Sequence, residues 1–477
     1  MSEFKRQHPA AAVDQLFTLI RKNLVTFIIL FFLSTRGNGN SIFLYIFFGS
    51  LVLSLVTGFL GWWLFTYRVH NDELQIKKGI LVRKNLYLSK ERIQVIDLTE
   101  GIVQRLFGLV KLEVKTAGSG TETATINAIS RDEAERLRAE LRGRSTTEVV
   151  AEVGEQSVDV IDDVLETWKL SKRDLMMAAI TSGNFGLIAS ILGAISGQLD
   201  SFITEENLDF VIDHLPGASN VTLVIAVIVA IIVISWTLSF LGIVLKYSDF
   251  KVERTATDLI ITSGLIERKH ITVPYNRIQA IRFVEGVLRQ PLGYGALYVE
   301  SAGFEIKENE RSITLLPYIS KHEIQTFFKT FLPEYEQNEL TIKPPKKALF
   351  KYIRRPNYLF LLLLPIAWYL FDYGWGILIF IPFFMYLGWV QFRDAGLNLS
   401  QNILTIRYRS LARVTAFIKQ NRIQTIGQRV NPLQARRDLA SLTVTAASGA
   451  KGIEFKIRDL DAGEVIEALN WAVDKRS

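Results

Sequence analysis

Stretches of apolar residues alternate with stretches of mixed polarity along this chain. Five apolar stretches contain no charged residue: Ser41–Phe65, Leu175–Leu199, Val221–Leu245, Tyr358–Phe371 and Trp375–Val390. A membrane-spanning helix needs about 20 apolar residues, so three of these stretches are long enough by themselves. The last two are shorter and are separated by only three residues. This spacing predicts a tight helical hairpin.

A sixth apolar stretch, Leu24–Leu33, completes three helix pairs. It spans a membrane only if Leu16–Ile20 extends it, with Arg21 and Lys22 reaching toward the headgroups. The segment Asp200–Asn220 is acidic and contains no Lys or Arg, whereas basic residues flank the other helices. The positive-inside rule therefore predicts a multi-pass cell-membrane protein whose polar segments and both termini are cytoplasmic.

Each helix pair is followed by a polar segment, and the three polar segments repeat one another. The landmark is an Arg-Ile-Gln triplet with a basic residue nine positions before it and a short alternating strand twenty positions after it. Each copy then has a glycine-containing turn and a capping signal that predicts a closing helix. The triplet residues are Arg92 and Gln94, Arg277 and Gln279, and Arg422 and Gln424; the capping residues are Ser130 with Glu133, Ser320 with Glu323, and Asp461 with Glu464.

Between these landmarks, polar and apolar residues alternate, which predicts several short antiparallel strands in each copy. A turn at Lys78-Gly79 joins the first strands of copy one, and Ser263-Gly264 does the same in copy two. Arg409 stands where the third copy would have this glycine, so we expect its first hairpin to differ. The order of elements fits a small barrel or sandwich capped by a C-terminal helix.

A helix pair, a glycine-turn hairpin, the Arg-Ile-Gln strand and a closing helix together resemble the bacterial pleckstrin-homology-like (PH-like) domain membrane proteins of the YdbT type. The resemblance covers nearly the whole chain and implies a partly open seven-stranded barrel in each copy. It also implies a partner, namely a smaller membrane protein with a single PH-like domain. Members of the family are associated with envelope defence against membrane-active peptides, which is the physiological role that the resemblance implies.

The landmarks and the resemblance divide the chain into eight segments. Three are transmembrane pairs, three are β-rich PH-like domains with a capping helix, one is an acidic linker and one is a basic linker. The transmembrane pairs are 1–65, 175–245 and 358–390; the PH-like domains are 66–145, 246–340 and 391–477; the acidic linker is 146–174 and the basic linker is 341–357.

Composition narrows the functions that the chain can have. Hydrophobic residues make up 49% of the chain and charged residues 22%, which fits a mixture of lipid-facing and water-facing segments. The absence of cysteine excludes disulfides, thiol nucleophiles and cysteine-ligated metals. The net charge of +7 is spread over many segments, which argues against nucleic-acid binding and suits an anionic lipid surface. No constellation of acid, base or metal-binding residues indicates catalysis or a cofactor.

Basic residues on the first hairpin of each copy are candidates for contact with lipid or a partner. Such side chains are worth roughly 1 kcal/mol each near an anionic leaflet, although a solvated strand edge is an equally reasonable interpretation. The triplet arginines are more simply explained as structural residues. The candidate contact residues are Lys77, Lys78, Arg83, Lys84, Arg268, Lys269, Arg407, Arg409 and Arg413.

A stripe of small residues in the third helix indicates close helix packing. The stripe consists of Ser182, Gly186, Ser190, Gly193 and Gly197. Small residues at this spacing let a second helix approach, either within the chain or in a homo-oligomer.

Two functional hypotheses follow. The first is a scaffold that binds membrane lipids or a partner membrane protein through three PH-like domains. The alternative is a transporter or channel component. A partner would have to complete its pathway, because the clear membrane spans contain no ionisable residue.

Overall fold

The computed structural model describes residues 4–23, 26, 42–70, 73–90, 93–116, 124–141, 164–182, 220–301, 312–336, 339–370, 374–400, 402–448 and 452–473. The predicted helix Leu24–Leu33, the acidic loop 200–219, Arg92 and the glycine stripe beyond Ser182 lie outside these residues, Leu24–Leu33 except at position 26.

Repeat 1 places a short strand and two helices before its sheets. Alternating residues such as Glu73-Leu74-Gln75-Ile76 form its strands, because every second side chain enters the core. Its elements are β1 (Lys5–Arg6), α1 (Ala10–Lys22), α2 (Ile42–Trp63), β2 (Thr66–His70), β3 (Glu73–Lys78), β4 (Lys84–Ser89), β5 (Ile93–Glu100), α3 (Ile102–Leu106), β6 (Leu109–Thr116), β7 (Ala124–Ser130) and α4 (Arg131–Leu141).

Repeat 2 follows the same order of elements. A strand precedes the helix pair, two groups of three strands follow it, and an amphipathic helix closes the repeat. Its elements are β8 (Glu166–Lys169), α5 (Lys172–Ile180), α6 (Asn220–Tyr247), β9 (Lys251–Arg254), β10 (Asp258–Ser263), β11 (Arg268–Pro274), β12 (Ile278–Glu285), β13 (Tyr294–Ser301), β14 (Ile313–Ser320) and α7 (Ile324–Phe331).

In repeat 3, the residues that the structure describes before the helices form no regular strand, and a β-bridge between Ile342 and Leu397 takes its place. The remaining elements match the other repeats. They are α8 (Leu349–Leu370), α9 (Phe380–Asp394), β15 (Gly396–Leu399), β16 (Ile403–Arg409), β17 (Arg413–Lys419), β18 (Ile423–Arg429), α10 (Pro432–Ala435), β19 (Leu439–Ala446), β20 (Ile453–Asp461) and α11 (Ala462–Val473).

The residues before each helix pair bond to the strand that comes directly after that pair. Lys5 pairs with Tyr67, Lys169 pairs with Lys251, and Ile342 pairs with Leu397. The chain therefore leaves a sheet edge, passes through the helices and returns to the same edge. Only an antiparallel arrangement of the two helices satisfies both pairings.

The repeats do not form separate barrels, which corrects the fold implied by the family resemblance. Among the described residues, β7-β6-β5-β11-β10-β9-β8 form one sheet across repeats 1 and 2, and β14-β13-β12-β17-β16-β15 form one across repeats 2 and 3. The remaining sheets are β1-β2-β3-β4 and β18-β19-β20. Since β5 and β12 bond to the next repeat, the strands of a repeat do not close on themselves. The three capping helices are present as predicted.

The cores follow these shared sheets. Each repeat has its own cluster of buried apolar residues, but side chains cross between repeats 2 and 3. Phe417 of β17 lies in the core of repeat 2, edge-on to Phe328 of α7 with ring centroids 5.2 Å apart. Ala280 of β12 lies in the core of repeat 3. The two repeats therefore share buried surface as well as backbone hydrogen bonds.

Among the described residues, one helix is long and apolar enough to cross a membrane, namely Leu44–Trp63 within α2. The helix α6 is also long and carries Lys246 in its last turn. In the third pair, Gly388 of α9 lies so close to α8 that a Cβ there would stand 2.5 Å from the carbonyl oxygen of Tyr352. Close packing of this kind needs glycine. The other predicted transmembrane helices stay predictions.

The first hairpin of repeat 3 differs from the other two, as Arg409 predicted. Gly79 and Gly264 have φ angles of 116° and 109° and lie in four- to five-residue turns. In repeat 3, Arg409 pairs with Arg413 across a three-residue turn without glycine.

Candidate repeat junctions and membrane-facing rim

Equivalent residues of the repeats can be matched through the Arg-Ile-Gln triplets, which are 185 residues apart between repeats 1 and 2 and 145 apart between repeats 2 and 3. By this match, Arg268 and Arg413 are equivalent, and so are Glu100 and Glu285. The sheet register places Arg268 opposite Glu100 and Arg413 opposite Glu285. The same opposite-charge pair therefore stands at both junctions, where oppositely charged cross-strand neighbours favour pairing.

At the junction of repeats 2 and 3 this pair belongs to a buried charge network. Arg413 donates two hydrogen bonds to Glu285, which is 2% exposed, and lies 3.5 Å from Asp394 of α9. Arg409 donates to Asp394 at 2.6 Å and also bonds to Gln290. Burial alone would lower the pKa of Arg413, but its bonds with Glu285 raise that pKa above the usual value. The network ties both repeats to the end of a helix pair.

This network gives a different location for two predicted contact residues. Arg409 and Arg413 are engaged in ion pairs with Asp394 and Glu285 of this chain, and contact of these arginines with lipid stays a prediction. Arg407 lies beside them and donates to Thr415 at 3.1 Å, and burial followed by the charge of Arg413 lowers its pKa. Sequence reasoning missed Glu285 and Asp394, whose carboxylates hold these arginines.

A second contact recurs at both junctions. Arg105 of α3 donates to the carbonyl oxygen of Leu265 at 2.8 Å. Gln290 is the residue equivalent to Arg105, and it bonds to Arg409 on the first hairpin of repeat 3. In both cases the loop after β5 or β12 contacts the first hairpin of the next repeat. The two junctions therefore share their strand register and this contact between loop and hairpin.

The first hairpins of repeats 2 and 3 lie at the ends of helices α6 and α9. The amide of Leu265 bonds to the carbonyl oxygen of Leu245 in α6 at 3.0 Å, and the amide of Gly264 bonds to that of Ser248 at 2.8 Å. In repeat 3 the side chain of Gln391 in α9 donates to the carbonyl oxygen of Ser410 at 3.0 Å. The hairpin tips are therefore level with the points where the helices leave the sheets.

Large apolar side chains are exposed at these tips and on the neighbouring loops. Leu81 is 97% exposed, and the equivalent Ile266 and Leu411 are also exposed. We call this set the rim. It consists of Ile80, Leu81, Val82, Ile102, Leu106 and Phe107 in repeat 1, Leu265, Ile266, Val287, Leu288 and Leu292 in repeat 2, and Leu411, Val430 and Leu433 in repeat 3.

The other predicted contact residues surround the rim. Lys77 lies over the Phe4 ring at 4.1 Å from its centroid, and Lys78 pairs with Lys84 at the base of the hairpin. Arg83 lies in the exposed turn beside them. In repeat 2, Lys269 is 3.9 Å from Glu267, and Arg268 has its Nε buried without a hydrogen bond. Basic side chains therefore flank exposed apolar tips in repeats 1 and 2.

The triplet residues occupy equivalent turns between the two strand groups. Arg277 and Arg422 each end a 3-10 turn directly before β12 or β18, and β5 begins directly after position 92. Gln279 is buried and donates to the carbonyl oxygen of Arg277 at 3.1 Å, whereas Gln424 is exposed. The side chains of Arg92 and Gln94 lie outside the described residues. The triplet thus marks a corner of the fold, which agrees with a structural role.

The strand β4 of repeat 1 has a different environment from its equivalents in repeats 2 and 3. Among the described residues, β3 is the one strand that pairs with β4, whereas the equivalent β11 and β17 each pair on both sides. Tyr87 of β4 is 57% exposed, but the equivalent Thr272 is 3% exposed and Phe417 is 1% exposed. We call β4 the open edge.

A signal for this difference was present in the sequence. The strand Val414-Thr415-Ala416-Phe417-Ile418 has no charged residue and is mostly apolar, which is typical of a strand buried on both faces. The equivalent Asn85-Leu86-Tyr87-Leu88 alternates in polarity, as a half-exposed strand does.

Comparisons with known proteins also find three repeats in this chain. A family model described as "Bacterial PH domain" matches the chain three times, at residues 16–145, 203–334 and 358–471. The UPF0699 transmembrane protein YdbT of Bacillus subtilis (strain 168) is 31% identical over 491 residues, covering 99% of this chain and 98% of that protein. Each matched stretch ends close to a capping helix.

Proposed function

The chain belongs to the bacterial PH domain family and is a membrane protein, and from this premise we propose that it is a scaffold that works by assembly, without catalysis. One observation carries the proposal: consecutive repeats join through shared sheets, while the equivalent edge of repeat 1 has no further strand among the described residues. The three PH-like domains form one array, and the open edge is where a partner domain joins it.

The partner is another membrane protein with a PH-like domain. At both internal junctions, the strand that joins carries a glutamate opposite the arginine of the first hairpin. Arg83 is the corresponding arginine on the open edge. A partner strand with a carboxylate at this position would repeat the internal interface, and its backbone would complete the hydrogen bonds of β4.

A second copy of this chain is a poorer occupant. The strand of repeat 3 equivalent to β5 and β12 is β18, which ends at Arg429, and Val430 directly after it stands where β5 and β12 have glutamate. Pairing β18 with β4 would leave Arg83 without a carboxylate and would place Arg429 opposite Lys84. Like charges in opposite positions disfavour pairing. The strand β18 of one chain would therefore pair poorly with β4 of the next, and identical chains would not assemble into a filament.

Photo-crosslinking tests the partner. A benzophenone amino acid replaces Tyr87 in the full chain. In a separate control variant, the same amino acid replaces Ala256, which is exposed and lies between β9 and β10 of repeat 2. We expect the Tyr87 label to capture a protein with a PH-like domain in native membranes, through its β5-type strand. Capture of a second copy through β18 would contradict heterotypic assembly, and equal labelling from both positions would contradict the open edge.

Contact of the rim with lipid is a second part of the proposal, and it is supported by the bonds between hairpin tips and helix ends. Because each helix pair leaves and returns at one sheet edge, all three pairs would enter the membrane from the same side. The basic flanks of the predicted helices favour the cytoplasmic side, with both termini there. The rim would then meet the inner leaflet, where its apolar tips enter the interface and its lysines and arginines approach anionic headgroups.

The absence of cysteine makes a direct test of the rim practical. Single cysteines at Ile266 and Leu81 are labelled with an environment-sensitive fluorophore in the full chain, reconstituted in vesicles that contain spin-labelled lipid. We expect strong quenching at both positions, and weak quenching at Ala256→Cys in the same repeat as Ile266. Quenching at Ile266 no stronger than at Ala256 would contradict lipid contact by the rim, without affecting the partner proposal.

A further inference from the structure

A cavity of about 280 Å³ lies between helix α8 and the second sheet of repeat 3. Asn431 caps α10 beside it, since its side chain accepts a hydrogen bond from the backbone amide of Gln434, and the side-chain oxygen of Gln434 accepts one from the backbone amide of Asn431. Polar side chains form most of the wall. The polar and charged residues that line the cavity include Arg355, Arg429, Lys456, Arg458, Gln434 and Ser441.

The cavity has more positive than negative charge. Asp459, which is fully buried, is the carboxylate beside it, and Arg355 and Gln434 both donate hydrogen bonds to this group. Lys351 lies 3.9 Å from the same carboxylate. Within the described part of the chain, Arg429, Lys456 and Arg458 form no ion pair. The pKa of Arg458 is lowered by burial and then by the nearby charge of Arg355, as expected where cations crowd together.

We propose that this cavity binds a phosphate group, supplied by the headgroup of an anionic phospholipid. Guanidinium groups match phosphate oxygens in geometry and charge, and three arginines face one cavity here. Arg355 lies three residues before the apolar stretch that begins at Tyr358, so the cavity is at the depth of the headgroups. The site is independent of the open edge and of the rim hairpins.

The sheet edge beside the cavity has different surroundings in the other two repeats. In repeats 1 and 2, the strands equivalent to β18 are covered by the next repeat. The residues equivalent to Arg429 are Thr99 and Val284, which are uncharged. Among the described residues β18 pairs with β19 alone, so its basic residues are not covered by a neighbouring strand.

Native mass spectrometry of the delipidated full chain, titrated with phosphatidylglycerol, tests the proposal. We expect one phosphatidylglycerol to bind more tightly than phosphatidylcholine. Replacing Arg429 and Arg458 by Gln should weaken this binding by about 10- to 30-fold. Each basic residue near an anionic lipid contributes about a three- to fivefold gain in affinity, and two such gains are lost. The double control Lys343→Gln with Arg436→Gln removes the same charge from exposed positions outside the cavity and should leave binding unchanged.

Two further measurements complete the test. Arg458→Lys keeps the charge and should restore part of the affinity lost in Arg458→Gln, which a folding defect would not do. Inorganic phosphate separates the two sources: if it binds as tightly as phosphatidylglycerol and displaces it, the ligand is a soluble phosphate and the lipid assignment is overturned. Equal phosphatidylglycerol affinity in the cavity variant and the control variant would overturn the site itself.

Discussion

Strands β4 and β17 hold the same position in repeats 1 and 3, but one is an open edge and the other lies inside a sheet. Around β17, a preceding repeat supplies Glu285 for Arg413 and an aromatic core for Phe417. Around β4, no second strand pairs among the described residues, and Tyr87 is exposed. In this repeat array, the adjacent repeat therefore determines whether a strand is buried or exposed. This is expected when stability is a sum of contributions from the repeats and from the interfaces between them.

The largest expected effect comes from removing the aromatic side chain that crosses between repeats. Phe417→Ala should lower the free energy of unfolding of the full chain by about 3–5 kcal/mol, because it empties a filled site in the core of repeat 2. Tyr87→Ala at the equivalent position should change it by only about 0.5 kcal/mol, because that side chain is exposed. Denaturant unfolding in one detergent compares the two. Similar losses would show that β4 is covered in the folded chain.

A smaller effect should follow from breaking the buried ion pair. Glu285→Gln should cost about 3 kcal/mol of unfolding free energy, since it leaves Arg413 buried with Asp394 alone. The equivalent Glu100→Gln is the control and should cost less, because Glu100 is more exposed and its nearest cation is Arg131 at 3.7 Å. Equal costs would mean that the network around Asp394 adds nothing to the second junction.

The smallest expected effect depends on pH and concerns the junction of repeats 1 and 2. His270 of β11 is opposite Leu98, bonds to Thr262 at 3.0 Å, and has its pKa lowered to about 4 by burial and then by Arg268. Below its ordinary value of 6.5, the unfolded chain binds the proton more readily than the folded chain does. Stability should therefore fall as the pH drops from about 6.5 toward 4, by about 1 kcal/mol at pH 5 after allowing for partial exposure.

His270→Gln should remove this pH dependence, and His322→Gln, at an exposed position, should not. Thermal unfolding of the three proteins between pH 7.5 and 5 measures the effect. A wild-type slope that survives in His270→Gln would assign the dependence to other groups. The position is occupied by Asn85 in repeat 1 and Thr415 in repeat 3, so this pH response belongs to one junction of the array.

Local features of the fold could be predicted from the sequence because they depend on neighbouring residues. The glycines at positions 79 and 264 indicated one kind of turn and Arg409 another, and the structure shows both. The capping residue Ser130 predicted the start of α4, and its side chain accepts a hydrogen bond from the Glu133 amide at 3.3 Å. Backbone conformation and short-range hydrogen bonds decide such features.

The candidate surfaces could be predicted only in part. The basic hairpins were recognised as clusters, but their sequence does not show that Arg409 and Arg413 meet Asp394 and Glu285. These partners are distant in the chain, and the choice between lipid and an internal carboxylate depends on which surface is adjacent after folding. The cavity of repeat 3 was missed for the same reason, since its arginines come from separate elements.

The sequence by itself determined the membrane character of the protein, the threefold repeat and the order of elements in each copy, because hydrophobic periodicity and turn chemistry act over short distances. The tertiary structure decided that the repeats merge into shared sheets and do not close as three barrels. A strand edge can bond to any complementary edge, so its partner is selected only when the repeats pack together. That selection covers the second strand of the first hairpin in repeats 2 and 3 and leaves the equivalent strand of repeat 1 exposed.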